Sequence, residues 1–406
     1  MAKAPAFLLF CLFAITQSTE SVFTTGLPQI AAEFNIPPGL AQLSSSIYFF
    51  GFAIGILVLG RVSDYFGRKP VVIFGLSLFL ITSLISIFVN DIYHLIALRF
   101  IQAFGGSVGS VIAQAMARDS YKGENLSKLY AMLSAGIALM PALGSFVGGN
   151  IVGLFGWRYN FLYLFIVVLL ILISCIYKLP ETNAYIGRSD SKKFIKILKT
   201  MLQDKKLMCY GGIIGGFNGI YYSFFIEAPF IFISKLKLHP SKFAYLIMLI
   251  SFSAFCGSNI SRFLQSKGIE GKRIIEGGLV LSIFSCFAFL ILGTIWSYGY
   301  MPDESALRIL IIPMLAQSLC FTTVMPLILR YSLEDYTKVN GSAGSIFGMM
   351  YYSIVAFINY ITSRIHSETI TKFCLFIFCL SLGCYFLFKQ SKKKFLNFEN
   401  PYKEEI

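Results

Sequence analysis

Three ionisable side chains, Glu20, Arg99 and Glu227, stand in stretches of the chain that are otherwise apolar. A charged side chain at the centre of a bilayer costs about 2.5–3.5 kcal/mol on insertion scales, so each such residue is a candidate functional group. A carboxyl group in that setting readily holds a proton, because desolvation disfavours its charged form. The three residues are therefore candidates for functional groups inside a membrane, with proton binding as the expected chemistry of the carboxyls.

The neighbours of the two acids suggest different tasks. Glu20 follows Gln17-Ser18-Thr19, which predicts a hydrated wall that faces other helices. We expect Glu20 to carry the proton or a cation. Glu227 precedes Pro229, which should interrupt the helix, and follows the aromatic pairs Tyr221-Tyr222 and Phe224-Phe225. Glu227 is the second candidate for the proton and the candidate contact for a cationic substrate, while a structural hydrogen bond is the alternative for either acid.

The composition requires a bilayer. Of 406 residues, 56% are hydrophobic and 13% are charged, whereas soluble domains carry roughly 25% charged residues. A membrane-spanning helix needs about 20 mostly apolar residues. Twelve stretches meet that requirement: 6–31, 40–60, 70–90, 93–116, 127–152, 157–178, 208–233, 241–262, 274–298, 305–329, 341–363 and 369–388.

The basic residues predict the orientation, because cytoplasmic loops carry an excess of Lys and Arg. We place both termini in the cytoplasm, because most Lys and Arg residues then fall in cytoplasmic segments. Arg99 lies within a span. The seven that fall outside are Arg158, Lys235, Lys237, Lys242, Arg308, Arg364 and Lys372. The net charge of +14 is thus a topology signal, and we expect no nucleic-acid partner.

The longest polar stretch divides the spans into two sets of six. We predict an N-terminal bundle over 1–180, a basic cytoplasmic linker over 181–207, a C-terminal bundle over 208–389 and a cytoplasmic tail over 390–406. Within the linker, residues 191–203 predict an amphipathic helix whose apolar face, with Phe194, Ile197, Leu198, Met201 and Leu202, lies on the inner leaflet. The chain has no phosphate-binding G-x-x-x-x-G-K-[ST] sequence, which disfavours ATP-driven transport.

A charged turn joins the second and third predicted spans. Gly60, Asp64, Gly67, Arg68 and Lys69 form the pattern G-x-x-x-D-x-x-G-R-K. It resembles the loop between spans 2 and 3 of major facilitator superfamily transporters. The resemblance implies an all-α membrane protein of twelve spans in two six-helix bundles, with a substrate site between the bundles near mid-membrane. It also implies that these five residues form a gate at the cytoplasmic side.

Two further segments resemble the same superfamily. Arg99 and Gln102 match the span 4 motif L-x-x-R-x-x-Q-G-x-G, in which the arginine is implicated in proton coupling. In span 5, small residues around Pro141 resemble the antiporter motif of drug:proton exporters. They also allow another helix to approach closely. The residues of this second segment are Gly136, Pro141, Gly144, Gly148 and Gly149.

Other segments narrow the resemblance to the Bcr/CflA branch of drug-resistance exporters. They include Arg118-Asp119 after span 4, Leu179-Pro180-Glu181-Thr182 after span 6 and Ala228-Pro229-Phe230 in span 7. That branch usually has Asp-x-Tyr-Leu-Pro in span 1, whereas here Glu20 stands one position earlier, a rotation of about 100° on a helix.

We therefore expect a proton-coupled antiporter that exports small organic molecules or drugs, as in multidrug efflux, by alternating access. The proton gradient is its energy source, and no cofactor or metal is expected. The expected substrate is cationic or amphipathic, the protein is expected to act as a monomer, and the location is a bacterial inner membrane. The alternatives are a proton symporter that imports a nutrient such as an amino acid, and an exporter of one metabolite such as a siderophore. We expect no enzyme activity, because no nucleophile–base cluster is visible and the three histidines all fall in predicted outside loops.

Overall fold

The computed structural model describes residues 3–183, 186–187, 191–366 and 369–392, and every regular element within these ranges is helical. The first half contains α1 (Ala6–Thr24), α2 (Leu27–Glu33), α3 (Pro38–Phe66), α4 (Arg68–Ser86), α5 (Ile92–Gly106), α6 (Val108–Ser120), α7 (Gly123–Leu154) and α8 (Arg158–Lys178). The second half contains α9 (Ser191–Gln203), α10 (Lys205–Pro229), α11 (Pro240–Ser266), α12 (Gly271–Ser297), α13 (Asp303–Ile309), α14 (Ile311–Leu333), α15 (Asn340–Ile365) and α16 (Thr371–Ser391). Most of the predicted tail, from residue 393 onward, lies outside the described residues.

Local sequence signals set the helix ends. The side chain of Asp91 accepts hydrogen bonds from the backbone N–H groups of Tyr93 and His94, which caps α5. Pro38 is the first residue of α3, where its missing N–H costs nothing. Gly67 has a φ of 102°, a conformation that favours glycine, and it separates α3 from α4. After Pro229 the chain continues as a wider π-helical turn over Phe230–Lys235, which agrees with the predicted interruption of α10.

The predicted spans coincide with helices. In the described part of the chain, ten helical stretches are long and apolar enough to cross a membrane, among them the continuous pair α5–α6 over Ile92–Ser120. Helix α7 adds an apolar stretch over Leu139–Leu154, and α10 has 25 residues, most of them buried between other helices. We call the end of the molecule that carries the α3–α4 loop the inner end and the opposite end the outer end, after the predicted orientation.

Two helix pairs join the halves, α3 with α15 and α7 with α11. Helix α3 runs from the outer to the inner end, and α15 runs antiparallel beside it. A Cβ atom on Gly39, near the outer end of α3, would lie 2.2 Å from the carbonyl oxygen of Ser363. Midway, the rings of Phe52 and Tyr352 are 4.8 Å apart. The two halves therefore meet along most of the length of α3.

Helix α9 forms where the sequence predicts an amphipathic helix, but its apolar face is used differently. Ile197 and Met201 are buried in the hydrophobic core of the second half, where α9 packs against α10 and α15. The prediction that the whole apolar face lies on the inner leaflet is therefore wrong for these two residues. Leu202 is exposed as predicted. Arg61 of α3 lies over the ring of Phe194, 4.9 Å from its centroid, so α9 also contacts the first half.

Candidate functional site

The structure brings Glu20 and Arg99 together inside the first half. Glu20 on α1 and Arg99 on α5 form a buried ion pair, and the guanidinium also donates to the side-chain oxygen of Gln102. Gln102 in turn donates to Ser83 on α4 at 2.8 Å. The three-residue spacing of Arg99 and Gln102 thus places both side chains on one face of α5, as predicted.

Two aromatic rings enclose the guanidinium of Arg99. Its central carbon lies 4.0 Å from the ring centroid of Phe23 on α1 and 4.1 Å from that of Tyr48 on α3. Such contacts contribute about 2 kcal/mol or more where the cation is desolvated. The rings therefore help to hold a charged arginine that is fully buried.

Polar atoms with unused hydrogen-bonding capacity surround this ion pair. Among the described residues, the second carboxylate oxygen of Glu20, the Nε of Arg99 and the hydroxyls of Ser45 and Tyr48 are buried without a hydrogen-bond partner. Buried polar groups in proteins are nearly always paired. These atoms are therefore available to a proton or to a polar group of a substrate.

An aromatic cluster connects this network with the second half. Phe49 and Phe52 on α3 contact Tyr222 on α10 and Tyr352 on α15, with ring centroids 4.6 and 4.8 Å apart. Tyr351 lies 4.4 Å from Tyr352. Tyr360, in contrast, is partly exposed and stacks with Arg364. The sequence left open whether the tyrosines of spans 7 and 11 bind a substrate or only pack, and the structure places Tyr222, Tyr351 and Tyr352 between the halves.

Glu227 is not brought to Glu20. Its carboxylate accepts a hydrogen bond from the amide of Gln42 on α3 at 2.6 Å, and it lies 2.9 Å from the Nδ1 of His366, at the end of α15. Tyr221, expected near this acid, instead stacks on Phe321 at 4.3 Å. Sequence reasoning missed Gln42 and assigned His366 to an outside loop, because no local pattern links either residue to Glu227.

The charged turn at the inner end forms a compact network. Arg68 pairs with Asp64 at 2.6 Å and with Asp119 at 3.4 Å. The carboxylate of Glu181 accepts hydrogen bonds from the backbone N–H groups of Arg68 and Lys69, both at 3.0 Å. Within this network the ion-pair partner of Asp64 is Arg68, four residues further along the chain. Glu181 belongs to the Leu-Pro-Glu-Thr segment after α8, for which the sequence predicts no partner.

Gly60 lies at the contact between the halves near the same end. A Cβ atom there would lie 3.3 Å from the side chain of Val111 and 3.8 Å from that of Ser345 on α15. A small residue at this position keeps α3 close to both helices.

The glycines of α7 permit close approach to two helices. A Cβ atom on Gly144 or Gly148 would lie 2.7 or 2.6 Å from a backbone carbonyl oxygen of α1. One on Gly149 would lie 2.9 Å from Ala244 of α11, in the other half. Gly136 faces the ring of Phe10, and α7 continues through Pro141 without a break. The small residues of this helix thus position α1, which carries Glu20.

Replacing Gly148 with alanine is expected to lower the free energy of unfolding by about 1–3 kcal/mol, because the backbone of α1 has to move. Thermal unfolding in detergent would measure the change. Gly383→Ala on α16 is the control, since a Cβ atom there meets nothing within 4 Å. Equal unfolding midpoints for the two variants would contradict a tight α1–α7 contact.

A clasp at the outer end holds α2 to the rest of the first half. Glu33 accepts hydrogen bonds from the indole N–H of Trp157 and from Arg158, and Arg158 also donates to the backbone carbonyl of Val89. Partial burial acts against the charged form of Glu33, but the hydrogen bonds from Arg158 and Trp157 outweigh it and lower the pKa of this carboxyl. The clasp is therefore charged at neutral pH.

Two bundles of membrane-length helices, with a buried ion pair and an aromatic cluster near their contact, define a multi-pass membrane transporter. The sequence signature of the Major Facilitator Superfamily matches residues 9–359, and the chain belongs to that superfamily. The family and fold predicted from the charged turn are thereby confirmed. The superfamily consists of transporters and not of enzymes. Among the described residues, no group of three or more His, Cys, Asp or Glu is placed to hold a metal.

Three similar proteins illustrate the relationship. A protein of Rickettsia felis described as an uncharacterized transporter is 45% identical over 385 residues, which are 94% of this chain and 95% of that protein. The bicyclomycin resistance protein homolog of Haemophilus influenzae is 24% identical over 345 residues, 84% of each chain. Among solved structures, the inward-open xylose transporter XylE of Escherichia coli has a TM-score of 0.74 at 14% identity and covers 97% of both chains. At that identity the likeness to XylE is one of fold.

Proposed function

We propose that this protein is a proton-coupled antiporter of the bacterial inner membrane that exports small organic molecules or drugs. The observation that carries the proposal is the buried Glu20–Arg99 ion pair beside aromatic rings that both halves contribute. The Haemophilus influenzae relative is described as a bicyclomycin resistance protein homolog, which supports a drug-like substrate. The antiporter-type pattern of α7 supports export.

In this mechanism Glu20 is the group that binds and releases the proton. As a carboxylate it pairs with Arg99. When it is protonated, the pair loses its charge attraction, and Arg99 relies on Gln102, Phe23 and Tyr48. Protonation thus changes the charge that the aromatic cluster faces through Tyr48. A cationic or amphipathic compound between the rings would favour the deprotonated state, which is the competition that an exchanger requires.

Glu227 is proposed as a second coupling residue that acts at the outer end. Its hydrogen bond from Gln42 crosses from one half to the other, so the halves cannot separate there without breaking it. His366 borders an outer cavity of about 600 Å³, lined also by Pro38, Leu43 and Arg364. The imidazole thus lies between that cavity and the buried acid, where it can relay a proton. We call the set Gln42, Glu227 and His366 the outer latch.

The turn between α3 and α4 is proposed as the inner gate. Asp64 and Asp119 hold Arg68, and Glu181 holds the backbone of the turn. None of these groups reaches the aromatic cluster. Their role is to bias the conformation of the inner end and not to contact the substrate.

Asp64→Asn is expected to reduce the rate of transport at least about fivefold while substrate binding stays within about twofold of wild type, since a gate changes conformational populations. Ethidium binding and ethidium efflux, measured on the same preparation, separate the two quantities. Glu124→Gln is a matched control, because Glu124 is an exposed acid whose ion pair among the described residues is with Lys128 on the same helix. A tenfold loss of binding with normal turnover would contradict a gating role.

Reconstitution into liposomes that contain a pH-sensitive dye tests the proposed function. Antiport predicts that a gradient of ethidium drives protons in the opposite direction, whereas symport predicts the same direction. Liposomes that contain the Glu20→Gln variant give the rate of proton movement without coupled transport. Proton movement in the direction of ethidium would overturn export by exchange.

A further inference from the structure

An apolar groove opens on the membrane-facing side of the second half. Helices α11 and α12 form its walls and α14 its floor, and its volume is about 250 Å³. Both walls pack closely against α14 and only slightly against each other. Hydroxyl groups of the floor fix it in place, since Thr322 and Thr323 donate to backbone carbonyls of α11. The groove is therefore a feature of the packed bundle.

The inside of the groove suits a hydrocarbon chain. Ile260, Leu264 and Leu281 line it, together with Leu319 and Cys320 of the floor. Thr323 also lines it, but its hydroxyl is already hydrogen-bonded to the carbonyl of Gly257.

Gly277 leaves space in the wall of the groove. A Cβ atom on this residue would meet no atom within 4 Å, whereas one on the neighbouring Gly278 would lie 2.2 Å from Val324. Helix α12 is thus tightly packed on its α14 side and open on its groove side.

The inner mouth of the groove is basic. Arg273, in the first turn of α12, lines it, and Arg262 at the end of α11 is exposed nearby in the chain. Within the described residues, neither arginine has an acidic partner among the ion pairs of the protein. Lys267 and Lys272 lie in or beside the same α11–α12 connection, against a single acid, Glu270. This end of the groove lies between the predicted spans 241–262 and 274–298, at the level of the lipid headgroups on the inner side.

The corresponding turn of the first half gives the contrast. There the sequence Gly67-Arg68-Lys69 stands where the second half has Gly271-Lys272-Arg273. In the α3–α4 turn, Arg68 pairs with Asp64 and Asp119, and its backbone N–H donates to Glu181. The position of Asp64 is occupied by Gly268 in the second half. In this alignment Lys272 corresponds to Arg68 and Arg273 to Lys69. Among the described residues, the acid that pairs with Arg68 from three residues before the aligned glycine therefore has no counterpart in the α11–α12 turn.

We infer that the groove is a binding site for an anionic phospholipid, with the phosphate at Arg273 and one acyl chain along Gly277 and Leu281. Arginine presents a planar set of donors that matches phosphate oxygens. Basic pockets between membrane helices near the cytoplasmic surface are suited to anionic headgroups. This site is separate from the transport pathway, because it lies on the lipid side of the second half and not between the halves.

Native mass spectrometry of the purified full-length protein tests the inference, with equal amounts of phosphatidylglycerol and phosphatidylethanolamine of the same chain length. Wild type is expected to retain phosphatidylglycerol in preference. Arg273→Gln is expected to reduce that preference about fivefold, the effect of one basic group at a membrane surface. Lys178→Gln, which removes an exposed basic residue at the end of α8, is the control and should keep it.

A second variant tests the chain-binding part of the groove. Gly277→Leu fills the open space and is expected to reduce retention of both lipids, while the helix itself is stabilised because leucine is the better helix former. Thermal unfolding confirms that this variant is folded. If Arg273→Gln keeps the wild-type preference, or if Gly277→Leu retains both lipids as wild type does, the groove is not the site.

Discussion

Glu20→Gln is expected to abolish proton movement driven by ethidium and to leave Arg99 buried without its counter-charge. Breaking a buried ion pair from one side costs about 3–5 kcal/mol, because the remaining charge stays desolvated. The variant should therefore unfold at a lower temperature as well as lose coupling. Proton flux in proteoliposomes, at matched amounts of reconstituted protein, measures coupling, and thermal unfolding in detergent measures stability.

The double variant Glu20→Gln, Arg99→Gln separates the two effects. Removing both charges relieves the uncompensated guanidinium, so we expect most of the lost stability to return. Coupling should not return, because no group at the site then exchanges a proton. Wild-type proton flux in either variant would show that Glu20 is not the proton site, whatever the stability.

Glu227→Gln is expected to open the outer end. Glutamine keeps an oxygen to which Gln42 can donate, but it loses the charge. Hydrogen bonds to charged groups contribute about 1.5–3 kcal/mol and neutral ones about 0.5–1.5 kcal/mol, so the difference corresponds to roughly a five- to tenfold shift in a conformational equilibrium. Ser363 is buried where α15 meets Gly39 of α3, so a cysteine at this position reports the opening. We expect Ser363→Cys to react about five- to tenfold faster with a membrane-impermeant maleimide when Glu227 is replaced by glutamine.

Ser223→Ala is the matched control for the outer latch. Its hydroxyl donates to the side-chain oxygen of Asn359 at 2.9 Å, so this variant also breaks a buried hydrogen bond between α10 and α15. That bond lies within the second half and does not join the halves. Its loss should leave the reaction rate of Ser363→Cys unchanged. Equal rates in the Glu227→Gln and Ser223→Ala backgrounds would exclude the latch.

The Glu227→Gln variant also tests the prediction that Glu227 selects cationic substrates. A carboxylate that contacts the substrate predicts that Glu227→Gln weakens cation transport and spares neutral compounds. A latch predicts a change for both classes, because opening precedes release of either. Comparing ethidium with a neutral substrate of similar size decides between these two roles.

The sequence carries the fold because the bilayer imposes a simple rule. A span must be long, apolar and helical, since every backbone group has to be satisfied within the segment. Each predicted span therefore contains a helix, although several helices extend beyond it. Glu20 and Arg99 were each foreseeable as functional residues, because a charge inside an apolar span is costly. Their pairing was not, since no local pattern links α1 to α5.

The outer latch was not foreseeable in the same way. Gln42 and His366 are far from Glu227 in sequence and meet it only when α3, α10 and α15 pack together. A polar residue near the end of an apolar stretch does not predict a buried contact, because such a residue can equally lie among the lipid headgroups. The burial of Ile197 and Met201 on α9 could not be predicted for a similar reason. Periodicity predicts an apolar face but does not tell whether lipid or protein covers it.

The continuous contact between α3 and α15 has a mechanical consequence. At the outer end Gly39 lies against Ser363, and near the inner end Gly60 lies against Ser345. The packed rings of Phe52 and Tyr352 between these two points resist compression, so they form a fulcrum. The halves then behave as a lever, in which separation at one end closes the other. A larger side chain at Gly39 and one at Gly60 should therefore trap the protein in opposite orientations, although both are added along the same α3–α15 contact.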